Sequence, residues 1–253
     1  MASLPTTVGI DLSAQPKATA VCSIEWGAGS ARIVLLEADW TDDRLLRLVA
    51  DTQPQKVAID APFGWPTPFV DAVSNFGASG AWPVGDDRRP LLLRTTDLVV
   101  GELTGTYPLS VSADKLGVCA MRCAHLLVEL DAGGLDRTGA GLAAEVYPAA
   151  ALRQWGLDPR RYKGSKPDRV ARRTQLVDEI AVATSSWLTL DSDQHAHLAR
   201  SDHLLDALIS AIVGRAVALG LTLRIPAEQR ALAAVEGWIH LPCSEPLAEL
   251  NAF

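Results

Sequence analysis

Thr7-Val8-Gly9-Ile10-Asp11 is a short run of strand-forming residues that ends on a carboxylate, and Lys56-Val57-Ala58-Ile59-Asp60 repeats the pattern. Two further acids interrupt apolar stretches. Glu145 sits inside Ala143-Ala144-Glu145-Val146-Tyr147-Pro148, and Asp206 sits inside Asp202-His203-Leu204-Leu205-Asp206-Ala207-Leu208-Ile209. A buried carboxylate without a partner is costly, so such a residue pairs, takes up a proton or binds a cation. Proteins tolerate that cost mostly at working sites.

Outward from these runs the chain reads as α/β. Residues 6–12, 18–26 and 31–38 are rich in strand formers, and Gly27-Ala28-Gly29-Ser30 joins the last two as a hairpin. Leu45, Leu46 and Val49 recur at helical spacing over 42–50, with Thr41 or Asp42 as the N-cap. The strand at 56–60 stops at Ala61-Pro62, because proline cannot donate to a ladder. From 62 to about 141 the pattern changes to Pro-, Gly- and Trp-rich sequence with helices near 68–75, 94–104 and 116–130, which reads as a helical insertion after the fourth strand. A strand and helix resume at 142–156, and a basic linker leads to a helix at 166–185. A strongly apolar helix follows from Asp202 to Leu219, capped by Ser201 and stopped by Gly220. Residues 236–242 read as a closing strand or a loop. The expected architecture is one domain over 1–253: a mixed five-stranded sheet, three antiparallel N-terminal strands and then parallel ones, flanked by helices.

If the strands at 7–11, 56–60 and 143–147 are parallel neighbours, Asp11, Asp60 and Glu145 lie along one sheet edge, where open α/β sheets bind ligands. Asp60, before Ala61-Pro62, has a plainer alternative as a turn former, and Asp11 as the opening of an Asx-turn. On a helical wheel advancing ~100° per residue, Asp206 lies about 40° from Asp202, on the side that carries Ile209 and Val213. Asp202 also suits a helix first turn, where acids complement the dipole. Two carboxylates ~6 Å apart repel by roughly 3 kcal/mol at an effective dielectric near 20. Several converging acids therefore imply protons or cations. Oxygen-only ligands suit Mg²⁺ or Mn²⁺ rather than zinc. Paired hard cations clamp the oxygens of a phosphoryl transfer, which points to phosphodiester hydrolysis.

Bulk properties exclude several classes. A hydrophobic content of 48% with 21% charged residues fits a folded protein rather than a disordered one. No apolar run approaches the ~20 residues that span a bilayer, and the opening residues lack the pattern of a secretory signal. Cys22, Cys119, Cys123 and Cys243 show no metal-ligand pairing and read as packed thiols, so a cytoplasmic address is expected. The net charge of −7 does not advertise a nucleic-acid binder. From Arg153 to Arg173, however, eight basic residues face only Asp158 and Asp168. That stretch, with Arg160, Arg161 and Lys163, reads either as a phosphate contact or as a solvated helix face.

Val8-Gly9-Ile10-Asp11-Leu12-Ser13, Ile59-Asp60-Ala61-Pro62-Phe63-Gly64, Arg94-Thr95-Thr96-Asp97, Glu145-Val146-Tyr147-Pro148-Ala149, Tyr162-Lys163, Asp202-His203-Leu204-Leu205-Asp206-Ala207 and Glu236-Gly237-Trp238-Ile239 together resemble the domain-of-unknown-function 429 family. Its members are described as predicted nucleases of ribonuclease H-like fold. The resemblance implies a two-metal nuclease with Mg²⁺ or Mn²⁺ held by Asp11, Asp60, Asp206 and Asp202, and DNA or RNA as partner. Asp11, Asp60, Glu145 and Asp206 would be catalytic. Glu145 departs from the simplest pattern and is read as a ligand, a base or a partner for Lys163. Arg94 and Lys163, with Arg160 and Arg161, would hold phosphate. Asp97 would orient Arg94, while Glu236 and Trp238 would cap and pack. Two rivals stay open: an ATP-dependent phosphotransferase of the actin and sugar-kinase branch, and a non-catalytic binding protein. Asp11-Leu12-Ser13-Ala14-Gln15 has no glycine for a phosphate turn, and Asp131-Ala132-Gly133-Gly134 is the other candidate. A homodimer is also left open.

Overall fold

The sheet is built outward from β1 (Thr6–Asp11), a strand buried along almost its whole length. The computed structural model describes residues 4–83, 87–112, 116–130, 135–243 and 247–250. β2 (Ala20–Gly27) and β3 (Ser30–Ala38) follow as an antiparallel meander. α1 (Asp42–Thr52) then crosses to β4 (Lys56–Asp60), and the Thr41 hydroxyl caps α1 by accepting from the Arg44 amide. The chain leaves the sheet for α2 (Thr67–Ser79), α3 (Arg89–Leu92), α4 (Thr95–Thr104) and α5 (Leu116–Leu130), and returns as β5 (Ala143–Val146). α6 (Pro148–Gln154), α7 (Pro167–Thr184), α8 (Ser192–Arg200), α9 (Asp202–Ala218) and α10 (Arg230–Glu236) lead to β6 (Ile239–His240). The strand order is β3-β2-β1-β4-β5-β6, with β4, β5 and β6 parallel to β1.

The sheet therefore has six strands where five were expected. β6 falls within 236–242, which read as either a closing strand or a loop; at two residues it is too short to show the alternation that decides between them. α8 also went unread, although Asp191 and Gln194 form a capping box at its start, with Asp191 accepting from the Asp193 and Gln194 amides.

Alternation along the strands sorts the core into two layers. Val8, Ile10, Val57 and Ile59 pack on one face with Leu45 and Val49 of α1 and Leu126 and Leu127 of α5. The other face carries Ala20, Cys22, Ile24 and Ala58, covered by α7 and α9. α9 is buried nearly all round, as its continuous apolar sequence requires. It rests directly on β1: a Cβ at Gly9 would lie 2.2 Å from the Ala207 carbonyl oxygen and the Ala211 amide nitrogen. Glycine at position 9 thus lets helix backbone touch strand backbone. Two positions back on the same face, Thr7 donates its hydroxyl to the Ala211 carbonyl at 2.9 Å and accepts from the Trp26 indole.

Candidate metal centre

Thr7, Gly9 and Asp11 share a face of β1, so the contact between Gly9 and α9 also turns the Asp11 carboxylate toward that helix. Asp60 is its register partner on the parallel neighbour β4. Asp206, in the second turn of α9, comes down over both. One oxygen from each of Asp11, Asp60 and Asp206 lies within 4.8 Å of the other two.

The three acids differ in their surroundings. Asp206 is 2% exposed; its Oδ1 accepts from the Tyr162 hydroxyl at 2.5 Å, and Lys163 Nζ stands 2.6 Å from its Oδ2. Burial raises its pKa to about 6, with Lys163 opposing the rise and Asp11 adding to it. Asp11 Oδ2 meets His203 Nδ1 at 2.5 Å, and this hydrogen bond raises the imidazole above its usual value. The Asp60 carboxylate has no hydrogen bond or ion pair among the described residues. Burial pushes it well above the ordinary carboxylate range, Lys163 pulls back, and Asp11, Asp206 and Glu145 push further. Lys163 itself is about half exposed along its side chain; burial works against its charge, but Asp206, Tyr162, Asp60 and Asp11 together hold it well above the usual lysine value.

Other residues read from sequence as site members lie outside the triad, although Glu145, Arg94, Arg160 and Arg161 line the same cavity. Glu145 pairs in register with Ile59, not with Asp60, so alternation turns it to the sheet face opposite α9. There it receives the Arg94 guanidinium on both oxygens, at 2.7 and 2.9 Å, and the Phe63 amide at 3.0 Å. Its partner is Arg94 rather than Lys163. Arg94 is itself fully engaged: it donates to both Asp97 oxygens and to the Glu236 carbonyl, and is 2% exposed. That geometry leaves no donor for a phosphate, and it makes Asp97 the orienting partner of Arg94. Glu236 caps α2 and α4, accepting from the Thr67 and Thr95 amides.

Asp202 lies outside the acidic group. Its Oδ2 accepts from the Gly164 amide at 2.9 Å. The wheel places it on the same side of α9 as Asp206, but four residues are a rise of ~6 Å, which separates the two along the helix axis. The basic run also divides. Arg173 is buried and donates to the carbonyls of Tyr162, Gly164, Ala199 and Arg200, clamping the segment that carries Tyr162 and Lys163. Arg172 is tied to Glu179 and the Asp158 carbonyl. Arg160 and Arg161 are exposed, each paired with an aspartate, Asp158 and Asp168 respectively. Asp131-Ala132-Gly133-Gly134 lies outside the described residues.

Tyr162 and His203 had been given no role. His203 follows Asp202 directly in the first turn of α9, and a titratable group between two acids was the available signal. For Tyr162 the signal was adjacency to Lys163. Cys119, read as a packed thiol, is buried and donates its thiol to the Leu12 carbonyl.

Asp11 and Asp60 open into a cavity of about 480 Å³ whose lining also includes Leu12, Leu109, Tyr147 and Lys163. At an effective dielectric near 20, carboxylates this close repel by about 3 kcal/mol per pair. Lys163 pairs with Asp206 and His203 with Asp11, which leaves Asp60 without a counter-charge of its own. An unpaired Asp60 beside two further acids, all with oxygen donors, fits a hard divalent cation. The fold and site thus define an α/β protein with an acidic triad at the edge of a mixed sheet, able to hold a metal ion. Residues 9–231 match the family described as "Protein of unknown function (DUF429)", and the chain belongs to that family. The matched span contains all three acids. No curated protein and no solved structure matches the chain. Among the described residues, no helix is long and apolar enough to cross a membrane.

Proposed function

We propose that the protein is a divalent-cation-dependent hydrolase of ribonuclease H-like fold that cleaves phosphodiester bonds in nucleic acid. The observation that carries this reading is the convergence of Asp11, Asp60 and Asp206 from two adjacent strand ends and a late helix. An antiparallel β1–β3 meander extended by parallel β4 and β5 supports the fold assignment.

Asp11, Asp60 and Asp206 would hold Mg²⁺ or Mn²⁺, and the bound ion would polarise a phosphoryl oxygen and activate water. Lys163 supplies a resident positive charge on Asp206, and Asp202 is committed to Gly164. The site therefore favours a single divalent ion assisted by Lys163 over the pair expected from sequence. Tyr162 fixes the Asp206 carboxylate through its hydroxyl. His203 Nε2 makes no hydrogen bond among the described residues, and the half-exposed ring held on Asp11 would be the group to give a proton to a leaving oxygen.

Isothermal titration with Mn²⁺ tests the ion site, and a Mn²⁺-supplemented screen over single-stranded, duplex and branched substrates tests the reaction. Saturable binding lost in Asp60→Asn, with cleavage lost in Asp11→Asn and Asp206→Asn, is the expected result. Retained cleavage in both of the last two variants rejects the assignment. The Lys163–Asp206 ion pair is the one observation that favours a non-catalytic acidic network. On that reading the wild-type chain binds no Mn²⁺.

A further inference from the structure

The cavity at the acids is lined by three kinds of side chain. Asp11 and Asp60 contribute carboxylates. Leu12, Leu109 and Leu116 contribute hydrocarbon; the last two come from the segment between β4 and β5. Leu109 is 66% exposed, an apolar side chain with little protein against it. The lining also includes Arg153, Arg160, Arg161 and Arg169. Asp158 and Asp168 lie within 4.0 Å of these guanidiniums and offset part of their charge. Four arginines against two aspartates still leave a net positive charge there. Tyr147 also lines the space, and its hydroxyl makes no hydrogen bond among the described residues.

Carboxylates for a cation, arginines for an anion and leucines for an apolar group within about 480 Å³ describe a receptacle for one anionic group joined to one ring. That volume lies in the range of small-ligand sites, roughly 300–1,000 Å³. A paired duplex cannot bring a base against Leu12 and Leu109 without unpairing it. Enzymes that act within such pockets take a nucleotide out of its stack.

We infer that the site takes a single unpaired nucleotide, its phosphate held by the arginines and the cation on the acids and its base against Leu12, Leu109 and Leu116. This rests on the proposed hydrolase reading and narrows its substrate. A free nucleotide and the terminal residue of a single strand present the same chemistry.

Binding to the wild-type chain is measured by isothermal titration in Ca²⁺, using adenosine monophosphate, a linear single-stranded oligonucleotide, a closed circular single strand and a blunt duplex. The expected result is 1:1 binding of the monophosphate and competition between it and the linear strand, with weaker binding of the circle and the duplex. Monophosphate binding without strand binding identifies the free nucleotide as source; a tighter linear strand identifies the strand end. Leu109→Asp is expected to weaken monophosphate binding roughly tenfold or more, the scale of losing one buried leucine contact, while Mn²⁺ binding is retained. Leu103→Asp, at a leucine 55% exposed and outside the cavity lining, serves as the control and leaves monophosphate binding unchanged. Duplex binding that the monophosphate does not displace, or equal effects of both leucine variants, overturns the pocket assignment and leaves the hydrolase reading standing. Absence of Mn²⁺ binding and of cleavage removes the hydrolase reading itself.

Discussion

Replacing Glu145 by glutamine separates a structural carboxylate from a catalytic one. Glu145 is 2% exposed and accepts three hydrogen bonds, two from Arg94 and one from the Phe63 amide. Burial opposes the Arg94 charge, but Glu145 and Asp97 outweigh it and hold the guanidinium above its ordinary value. A glutamine keeps the shape but turns an NH₂ toward a guanidinium, so at least one charge-assisted bond of about 1.5–3 kcal/mol is lost. Arg94 retains Asp97 and the Glu236 carbonyl, which limits the loss to about 2 kcal/mol net. Arg94→Met is harsher. It leaves two buried carboxylates facing each other without a cation, the situation that costs about 3–5 kcal/mol when a buried pair is broken. At ~2–4 °C per kcal/mol for a chain of this size, Glu145→Gln should lower Tm by about 4–8 °C and Arg94→Met by at least that. Urea unfolding followed by circular dichroism measures the order, and Mn²⁺ titration of folded Glu145→Gln should match wild type. A Glu145→Gln variant of full stability that no longer binds Mn²⁺ would refute the reasoning, because Glu145 would then be a ligand and not the counter-charge of Arg94.

Asp60→Asn should raise the Tm of the cation-free protein at pH 8, because it removes repulsion from Asp11 and Asp206 that Lys163 only partly offsets; a fall in Tm shows that Asp60 is stabilised by a partner. Because burial raises Asp206 to about 6 and Asp60 further above its usual range, the folded chain holds protons that the unfolded chain has released above roughly pH 4. Stability of the cation-free wild type relative to Asp206→Asn should therefore fall as pH rises from 5 to 7.5. His203, raised by Asp11, acts in the same sense: its contribution is present below the unfolded value and lost as pH rises through the folded one. Thermal melts at the two pH values check this, and a relative stability that grows with pH contradicts it. Gly9→Ala should cost about 3 kcal/mol, because the added carbon meets backbone of α9 rather than a side chain that can yield. Chemical denaturation tests that, and a loss below 1 kcal/mol means the helix shifts freely.

The strands that end on Asp11 and Asp60 were legible because a short apolar run closed by a carboxylate and a turn former has few alternative readings. Asp206 was legible because an acid at an apolar helix position breaks the helical period. Glu145 shows the limit. Its sequence context looks like that of Asp60, and only the register against Ile59 sends it to the other face. Register comes from pairing between residues more than 80 positions apart, which one sequence does not display. The partnership of Arg94 with Glu145 is hidden for the same reason, whereas Asp97 could be read as its companion from a spacing of three. Asp202 was misplaced for a simpler reason: a helical wheel reports angle and discards height along the axis.

The backbone contact at Gly9 sets how the site can vary. With α9 seated against β1 at the limit of approach, the spacing between Asp11 and Asp206 is fixed by main chain and not by the volume of intervening side chains. Leu109 and Leu116, which line the same cavity, hang from a separate stretch of chain, between β4 and β5. Changes of size or polarity at Leu109 and Leu116 can therefore retune which ligands enter without altering the grip on a cation, so selectivity and ion affinity are free to drift independently among related sequences.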